Sequence, residues 1–198
     1  MKAGEWLFPK KIVNSSKFCV IHNAVDREKY KYSVQKREEI RGSMGITDQF
    51  VIGHVGNFCY QKNHYFLLDV FEEVHKKDPN TVLLLAGDGV RFEKVRQIVA
   101  EKNLEDVVKL LGRRSDTDYL YQGMDAFLLP SNFEGLPIAG IEAQSAGLPC
   151  FMSDEITKES KITEACYFIP LKSGAKYWAE EILDNRMERQ SAEFLDNV

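Results

Sequence analysis

Three loops carry residue types that could grip a polar, phosphate-bearing ligand. In SNFEGLPIAGIEAQSAGLP, residues 131–149, Glu134 and Glu142 flank a Gly-Leu-Pro turn with seven residues between them. Pro137, behind Gly135 and Leu136, suits the first position of a helix, where its missing N–H is no handicap. The backbone N–H groups of residues 135–138 would then point out of the helix end, ready for phosphate or sugar oxygens. Glu134 beside such an end also has a plain electrostatic explanation, worth about 0.3–1 kcal/mol. Glu142 follows Ile138 and Ile141 on an otherwise small, apolar helix, and a carboxylate in a packed setting needs partners. Sugar or ribose hydroxyls would serve, because an ionised carboxylate accepts several hydrogen bonds.

The stretch GNFCYQKNH, residues 56–64, sets Gly56, Asn57 and Lys62 ahead of a helical pattern. Gly56 permits close backbone approach, the helix start favours an anion, and Lys62 adds a point charge suited to phosphate. Taken alone, Lys62 reads as a solvated lysine in a turn. AGDGV, residues 86–90, places Gly87 and Gly89 around Asp88; two glycines allow a positive-φ turn with a ligand lying against the backbone. An ordinary strand-to-helix turn would use the same letters, and this is not the G-x-G-x-x-G dinucleotide fingerprint. In GRRSD, Arg113 and Arg114 either line a nucleotide pocket or dress the edge of a sheet.

The elements that would position these loops follow from alternation. FCVIH (18–22), FVIGHV (50–55), TVLLLAG (81–87), VVKLLG (107–112), AFLLP (126–130) and LPCFMS (148–153) are short and apolar on consecutive residues, as parallel strands buried on both faces are. Between them run segments of helical period. The clearest, HYFLLDVFEEVHKK, gathers Leu67, Val70, Phe71 and Val74 on one face and Glu72, Glu73, Lys76 and Lys77 on another. Asp116 or Thr117 is a candidate cap for the segment DTDYLYQGM. The alternation predicts an α/β fold, a Rossmann-like doubly wound parallel sheet. Ligands then bind outside the carboxyl ends of the strands, where all three loops lie.

The edges look unfinished. Residues 1–16 read as the remnant of an upstream domain or linker, residues 17–172 as one Rossmann-like domain, and residues 173–198 as one amphipathic helix. The 198 residues carry a net charge of -4, which argues against a nucleic-acid partner. No apolar run reaches the length of a bilayer span, and residues 1–9 lack a signal-peptide core. Cys19, Cys59, Cys150 and Cys166 are scattered, without the spacing of a disulfide framework or zinc site, so a reducing cytoplasm is the natural compartment. Cys19 and Cys150 sit in apolar runs and are expected to be buried. The four histidines do not cluster, and no metal is expected.

FEGLPIAGIEAQSAGLP resembles the E-x7-E signature of the large retaining GT-B glycosyltransferase family that uses nucleotide-sugar donors (family 4 in the usual classification). VIGHVGNFCYQKNH, LLLAGDG, LLGRRSDTDYLYQGMDAFLLPS and CVIHNAVD resemble further blocks of that family in order and spacing, so the likeness covers roughly residues 18–154. Its flavour is that of bacterial exopolysaccharide and capsule enzymes. The resemblance implies the C-terminal, donor-binding half of a GT-B fold, with residues 17–172 as its nucleotide-sugar-binding domain. It makes Lys62 and Glu134 the catalytic pair. Lys62 neutralises the diphosphate of a UDP- or GDP-linked sugar, and Glu134 binds donor-sugar hydroxyls. Gly135, Leu136 and Pro137 face sugar and phosphate, Glu142 takes the ribose, and Arg114 with its neighbours frames the base. The nucleotide-sugar is a substrate, and neither cofactor nor metal is implied. The implied partners are an N-terminal acceptor-binding domain of the same polypeptide and a glycan or lipid-linked acceptor, with the full-length enzyme peripheral at the inner membrane.

The sequence departs from the family at Asn57, where an arginine is usual; a fixed guanidinium grips phosphate bidentately and asparagine does not. Arg91 or Arg113 is a candidate compensator. Without an acceptor domain the isolated chain is expected to bind donor and transfer little or no sugar. An epimerase or phosphorylase lacks its residues here at matching places. A catalytically degenerate nucleotide-binding module is the alternative that Asn57 favours, and a generic doubly wound domain explains the alternation but not the charged loops.

Overall fold

The computed structural model describes residues 7–19 and 23–189. The elements are α1 (Lys10–Val13), α2 (Arg27–Tyr30), α3 (Val34–Ser43), β1 (Phe50–Val55), α4 (His64–Lys77), β2 (Thr81–Ala86) and α5 (Phe92–Glu101). They continue through β3 (Val108–Gly112), α6 (Thr117–Gly123), β4 (Ala126–Leu129), α7 (Ile138–Ser145), β5 (Cys150–Ser153), β6 (Cys166–Ile169) and α8 (Gly174–Asp184). The six strands form one sheet in the order β3-β2-β1-β4-β5-β6, parallel throughout. The strand order reverses between β1 and β4, and the crevice outside the carboxyl ends of those two strands is where such a sheet takes ligands.

Alternate residues of each strand serve opposite faces, and both faces are buried. Ile52, Leu83, Leu85, Leu128 and Phe151 pack with residues of α4, α5 and α8. Val51, Leu84, Phe127, Leu129 and Met152 pack on the other side, with residues of α2, α3, α6 and α7. This two-sided burial is why the strands read as apolar on consecutive positions. Leu67, Val70, Phe71 and Val74 of α4 are fully buried as the pattern predicts, while Lys76 pairs with Glu72 and Glu73 on the outer face at 2.8 Å.

Several expectations shift by a few residues or more. Of the expected strand at 18–22, residues 20–22 lie outside the described residues, and Phe18 and Cys19 carry no regular structure. Cys19 is exposed, whereas Cys150 is buried as expected; an apolar run buries a thiol only if the run itself is packed. Strand β6 was not anticipated. It follows β5 through a single 3-10 turn at Lys158–Ser160, so no helix of period 3.6 announces it. The C-terminal helix stops at Asp184, and residues 190–198 lie outside the described residues. The break has a tertiary cause. Arg186 binds Asp78 at 2.7 Å and covers the Phe50 ring. Arg189 donates to the carbonyls of Ala146, Gln122 and Met124 at the ends of α7 and α6. The apolar face of α8 meets α4: Trp178 is fully buried, edge-on to Phe66.

Candidate functional site

Two loops meet across the crevice between β1 and β4. Asn132 donates from its backbone to the Gln61 carbonyl at 2.8 Å and from its side chain to the Tyr60 carbonyl at 2.7 Å. The far side of the second loop is fixed by Ser153, whose hydroxyl donates to the Ser131 carbonyl at 2.5 Å, and by a bridge between Glu134 and Ile156. Held by this frame, Lys62 Nζ lies 2.5 Å from Glu134 Oε1, with the side chains 14% and 8% exposed. Gln61 donates to Glu134 Oε2 at 2.9 Å and Ser131 Oγ donates to Oε1 at 3.2 Å. An ion pair withdrawn from water repays its desolvation only when its remaining lone pairs are also used. Gln61 and Ser131 fill that role. Neither was singled out in the sequence, although each adjoins a residue or strand end that was.

Beside this pair opens a cleft of about 680 Å³ that gathers Gly56, Asn57, Gly87, Asp88, Gly89, Arg113 and Arg114. Thus seven of the residues expected at a donor site share one wall. Lys62 joins it through Gly56: a Cβ on Gly56 would lie 3.1 Å from Lys62 Cε and 3.0 Å from His54 Nε2. Any side chain at position 56 would push the lysine stem aside. Gly87 is required for a different neighbour than expected. Its φ is +145°, and a Cβ there would fall 1.9 Å from the Gly56 carbonyl oxygen. A close approach of two backbone loops of the cleft therefore requires the glycine. A second cavity, of about 670 Å³, lies at the amino ends of β1 and β4 beside Phe50 and Asp125, away from the crevice. Asp125 there is already taken by Arg37, Arg41 and the Val51 N–H.

The remaining expected residues divide. Gly135 is exposed, with open space where a side chain would be. Pro137 is the N-cap of α7 and not its first helical residue; its extended ψ of 104° keeps it outside the helix, which starts at Ile138. Leu136 is half-buried beside it. Asp116 caps α6 by position, but its side chain makes no capping bond, because Arg114 claims both carboxylate oxygens at 2.8 and 2.6 Å. That guanidinium holds the Asp116 carboxyl below the usual range. Arg91, a candidate substitute for the arginine lacking at position 57, stacks on Tyr60 and Tyr65. Asn57 itself is exposed on the cleft wall.

Glu142 has the partners its packed setting demands. Tyr30 Oη donates to Oε1 at 2.7 Å and Tyr121 Oη to Oε2 at 2.9 Å. Tyr30 lies 112 residues upstream, and no local pattern announces the pairing.

Behind the lysine loop sit two buried imidazoles. His54 Nδ1 donates to the Leu128 carbonyl at 2.8 Å, since a carbonyl can only accept, so Nε2 carries the lone pair. His64 is edge-on to His54 at 4.8 Å and stacked on Phe58 at 4.0 Å. Neither His54 Nε2 nor either nitrogen of His64 has a hydrogen-bond partner. Burial pushes both rings down, His64 to about 4 with a further push from the Lys62 and Arg91 charges. Among the described residues no three His, Cys, Asp or Glu side chains gather to hold a metal, and no helix is long and apolar enough to cross a membrane.

EpsF of Bacillus subtilis (strain 168), provisionally named a glycosyltransferase, is 34% identical over 158 residues, 79% of this chain and 41% of that protein. The UDP-Gal:alpha-D-GlcNAc-diphosphoundecaprenol alpha-1,3-galactosyltransferase of Escherichia coli is 33% identical over 146 residues, 72% of this chain and 38% of that protein. The chain thus spans about two fifths of the length of these relatives. Among solved structures, Anabaena HepE in complex with UDP and glucose superposes with a TM-score of 0.74 at 23% identity, over 84% of this chain and 46% of that one. The C-terminal domain of the Francisella tularensis group 1 glycosyl transferase LpcC gives 0.67 at 19% identity, over 81% of this chain and 86% of that one. At such identities the two structures share with this chain the fold alone, the Rossmann-like parallel α/β sheet of GT-B glycosyltransferases. The family model for glycosyl transferases group 1 matches residues 36–166, well over half of the chain, and the chain belongs to that family.

Proposed function

We propose that this chain is the donor-binding half of a retaining glycosyltransferase of family 4, which moves a sugar from a nucleotide diphosphate to a glycan or lipid-linked acceptor in bacterial polysaccharide assembly. The observation that carries the reading is the Lys62–Glu134 pair at the sheet's switch point, set beside the glycine-walled cleft over the ends of β1, β2 and β3. A donor diphosphate entering the cleft competes for the Lys62 ammonium. The lysine then stabilises charge as it develops on the leaving phosphate, a form of electrostatic stabilisation that is commonly the largest catalytic contribution. Glu134, relieved of its cation but still held by Gln61 and Ser131, accepts hydrogen bonds from donor-sugar hydroxyls. One pair thus acts as a resting clasp and as two separate binding groups. Anomeric configuration is retained through attack on the face the diphosphate leaves, and Lys62 supplies the charge without a metal.

The UDP held by HepE and the UDP-Gal and lipid diphosphate named for the Escherichia coli relative support a nucleotide-sugar donor and a lipid-linked acceptor for the whole protein. The reading places it in the cytoplasm, at the inner membrane face. Asn57 favours one other reading, a nucleotide-binding module that has lost catalysis.

A thermal-shift panel of UDP, GDP, their sugars, AMP and NAD tests the proposal. At least one sugar nucleotide and its parent diphosphate are expected to raise Tm by several degrees, roughly what 100-fold saturation gives a domain of this size, with AMP and NAD silent. Silence across the panel would overturn it. Joined to an acceptor-binding domain, the enzyme transfers sugar from the stabilising donor; binding without transfer favours the degenerate module.

A further inference from the structure

Glu142 is held by two phenols that come from distant parts of the chain. Tyr30, on α2, and Tyr121, on α6, each donate to a different carboxylate oxygen, and their rings meet edge-to-face at 5.8 Å. Both residues are buried, 6% and 0% exposed. Burial first, and then the neighbouring carboxylate, raise both phenols above their usual range, so both stay protonated donors. The short helix that carries Tyr30 is fixed by Asp26, which accepts from the N–H groups of Glu28 and Lys29. Thr117, a wall residue of the cleft, lies beside the Tyr30 hydroxyl and partly offsets the rise in its pKa. The clamp therefore abuts the nucleotide cleft.

A carboxylate oxygen offers two lone-pair directions. One phenol on each oxygen consumes one direction apiece, fixes the plane of the group, and leaves a matched pair of acceptors. A vicinal diol is the chemical group with two donors at that spacing. We infer that Tyr30 and Tyr121 are positioning residues that aim Glu142 at the ribose hydroxyls of the donor nucleotide, so that preference for ribo- over deoxyribonucleotide depends on the two phenols. The inference rests on the assignment of Glu142 to the ribose.

Calorimetric titration of UDP, GDP and their 2′-deoxy forms into the wild-type chain, Tyr30→Phe, Tyr121→Phe and Glu142→Gln separates the two ideas. The wild type is expected to prefer the ribonucleotide about tenfold or more, since a site built to bond a hydroxyl rejects the analogue lacking it. Glu142→Gln should abolish that preference. Each phenylalanine variant should cut it to about two- to threefold while binding the 2′-deoxy nucleotide within about twofold of wild type, the loss of one hydrogen bond's worth of alignment. A lost clamp thus appears as a changed ratio, which a general loss of folded protein cannot produce. If the wild type shows no preference, or Glu142→Gln keeps it, the ribose assignment falls and the inference with it. If Glu142→Gln loses the preference while both phenylalanine variants keep it, the assignment stands and the tyrosine clamp is overturned.

Discussion

Lys62→Ala is expected to weaken binding of the nucleoside diphosphate by about 10²-fold, the equivalent of one charge-assisted contact together with the penalty it leaves behind. Two effects add. The substitution removes the ammonium that meets the diphosphate, and it leaves Glu134 as a nearly buried carboxylate with only Gln61 and Ser131 for partners. An uncompensated negative charge then faces an incoming anion. Glu134→Gln should act in the opposite sense on the diphosphate alone, because it frees Lys62 and removes the repulsion: UDP or GDP binds as well as to the wild type or better. The same variant should lose affinity for the sugar nucleotide relative to its parent diphosphate, because an amide oxygen accepts a sugar hydroxyl more weakly than a carboxylate. Opposite responses of one ion pair to two ligands are hard to obtain unless its members bind different parts of the donor. Calorimetry on the two variants reads both numbers. Equal weakening by both substitutions would show that the pair serves the fold and not the ligand.

Stability is expected to fall steeply between about pH 6.5 and pH 4. His54 and His64 are buried with their folded pKa values depressed, His64 to about 4. Their contribution is complete above the unfolded value of about 6.5 and drains away as pH falls, because the unfolded chain binds protons that the folded chain refuses. The slope of unfolding free energy on pH is then positive through that window. For His64 alone the drop corresponds to roughly 3 kcal/mol, a sizeable share of a domain's stability. His64→Phe keeps a planar ring on Phe58 and removes two nitrogens that have no partner, so it should flatten the slope by about one proton and cost little or nothing at pH 7.5. Urea unfolding at intervals between pH 4.5 and pH 7.5 measures this. Equal stability at pH 5 and pH 7 in the wild type would contradict it.

The parts legible in the sequence were those governed by local pattern. Strands β1 to β5 declare themselves because parallel strands buried on both faces are apolar without a break, and α4 because its buried stripe repeats at helical spacing. That Lys62 and Glu134 lie along one edge of the sheet was legible too, since both loops follow strand ends, whereas their direct ion pair was not. What escaped was decided by tertiary contact. Strand β6 is four residues long and follows a turn instead of a helix, so nothing periodic marks it. The end of α8 is set by Arg186 and Arg189 reaching other elements, although the amphipathic pattern runs on past it. Gly87 and Gly89 line the cleft as expected, and the packing of their loop on Gly56 and Phe58 was not visible in the sequence. Tyr30 was invisible because its significance lies in a carboxylate 112 residues away, and sequence spacing carries no trace of such a meeting.

The account depends on Lys62 reading a diphosphate in the cleft over the carboxyl ends of β1, β2 and β3. The most direct measurement compares UDP with UMP, and GDP with GMP, by titration calorimetry into the wild-type chain at low and moderate salt. The account predicts that one diphosphate binds at least about tenfold more tightly than its monophosphate, the contribution of one added charge-assisted contact, with the advantage shrinking as salt screens it. Equal affinity for the diphosphate and the monophosphate, at either salt concentration, would contradict it.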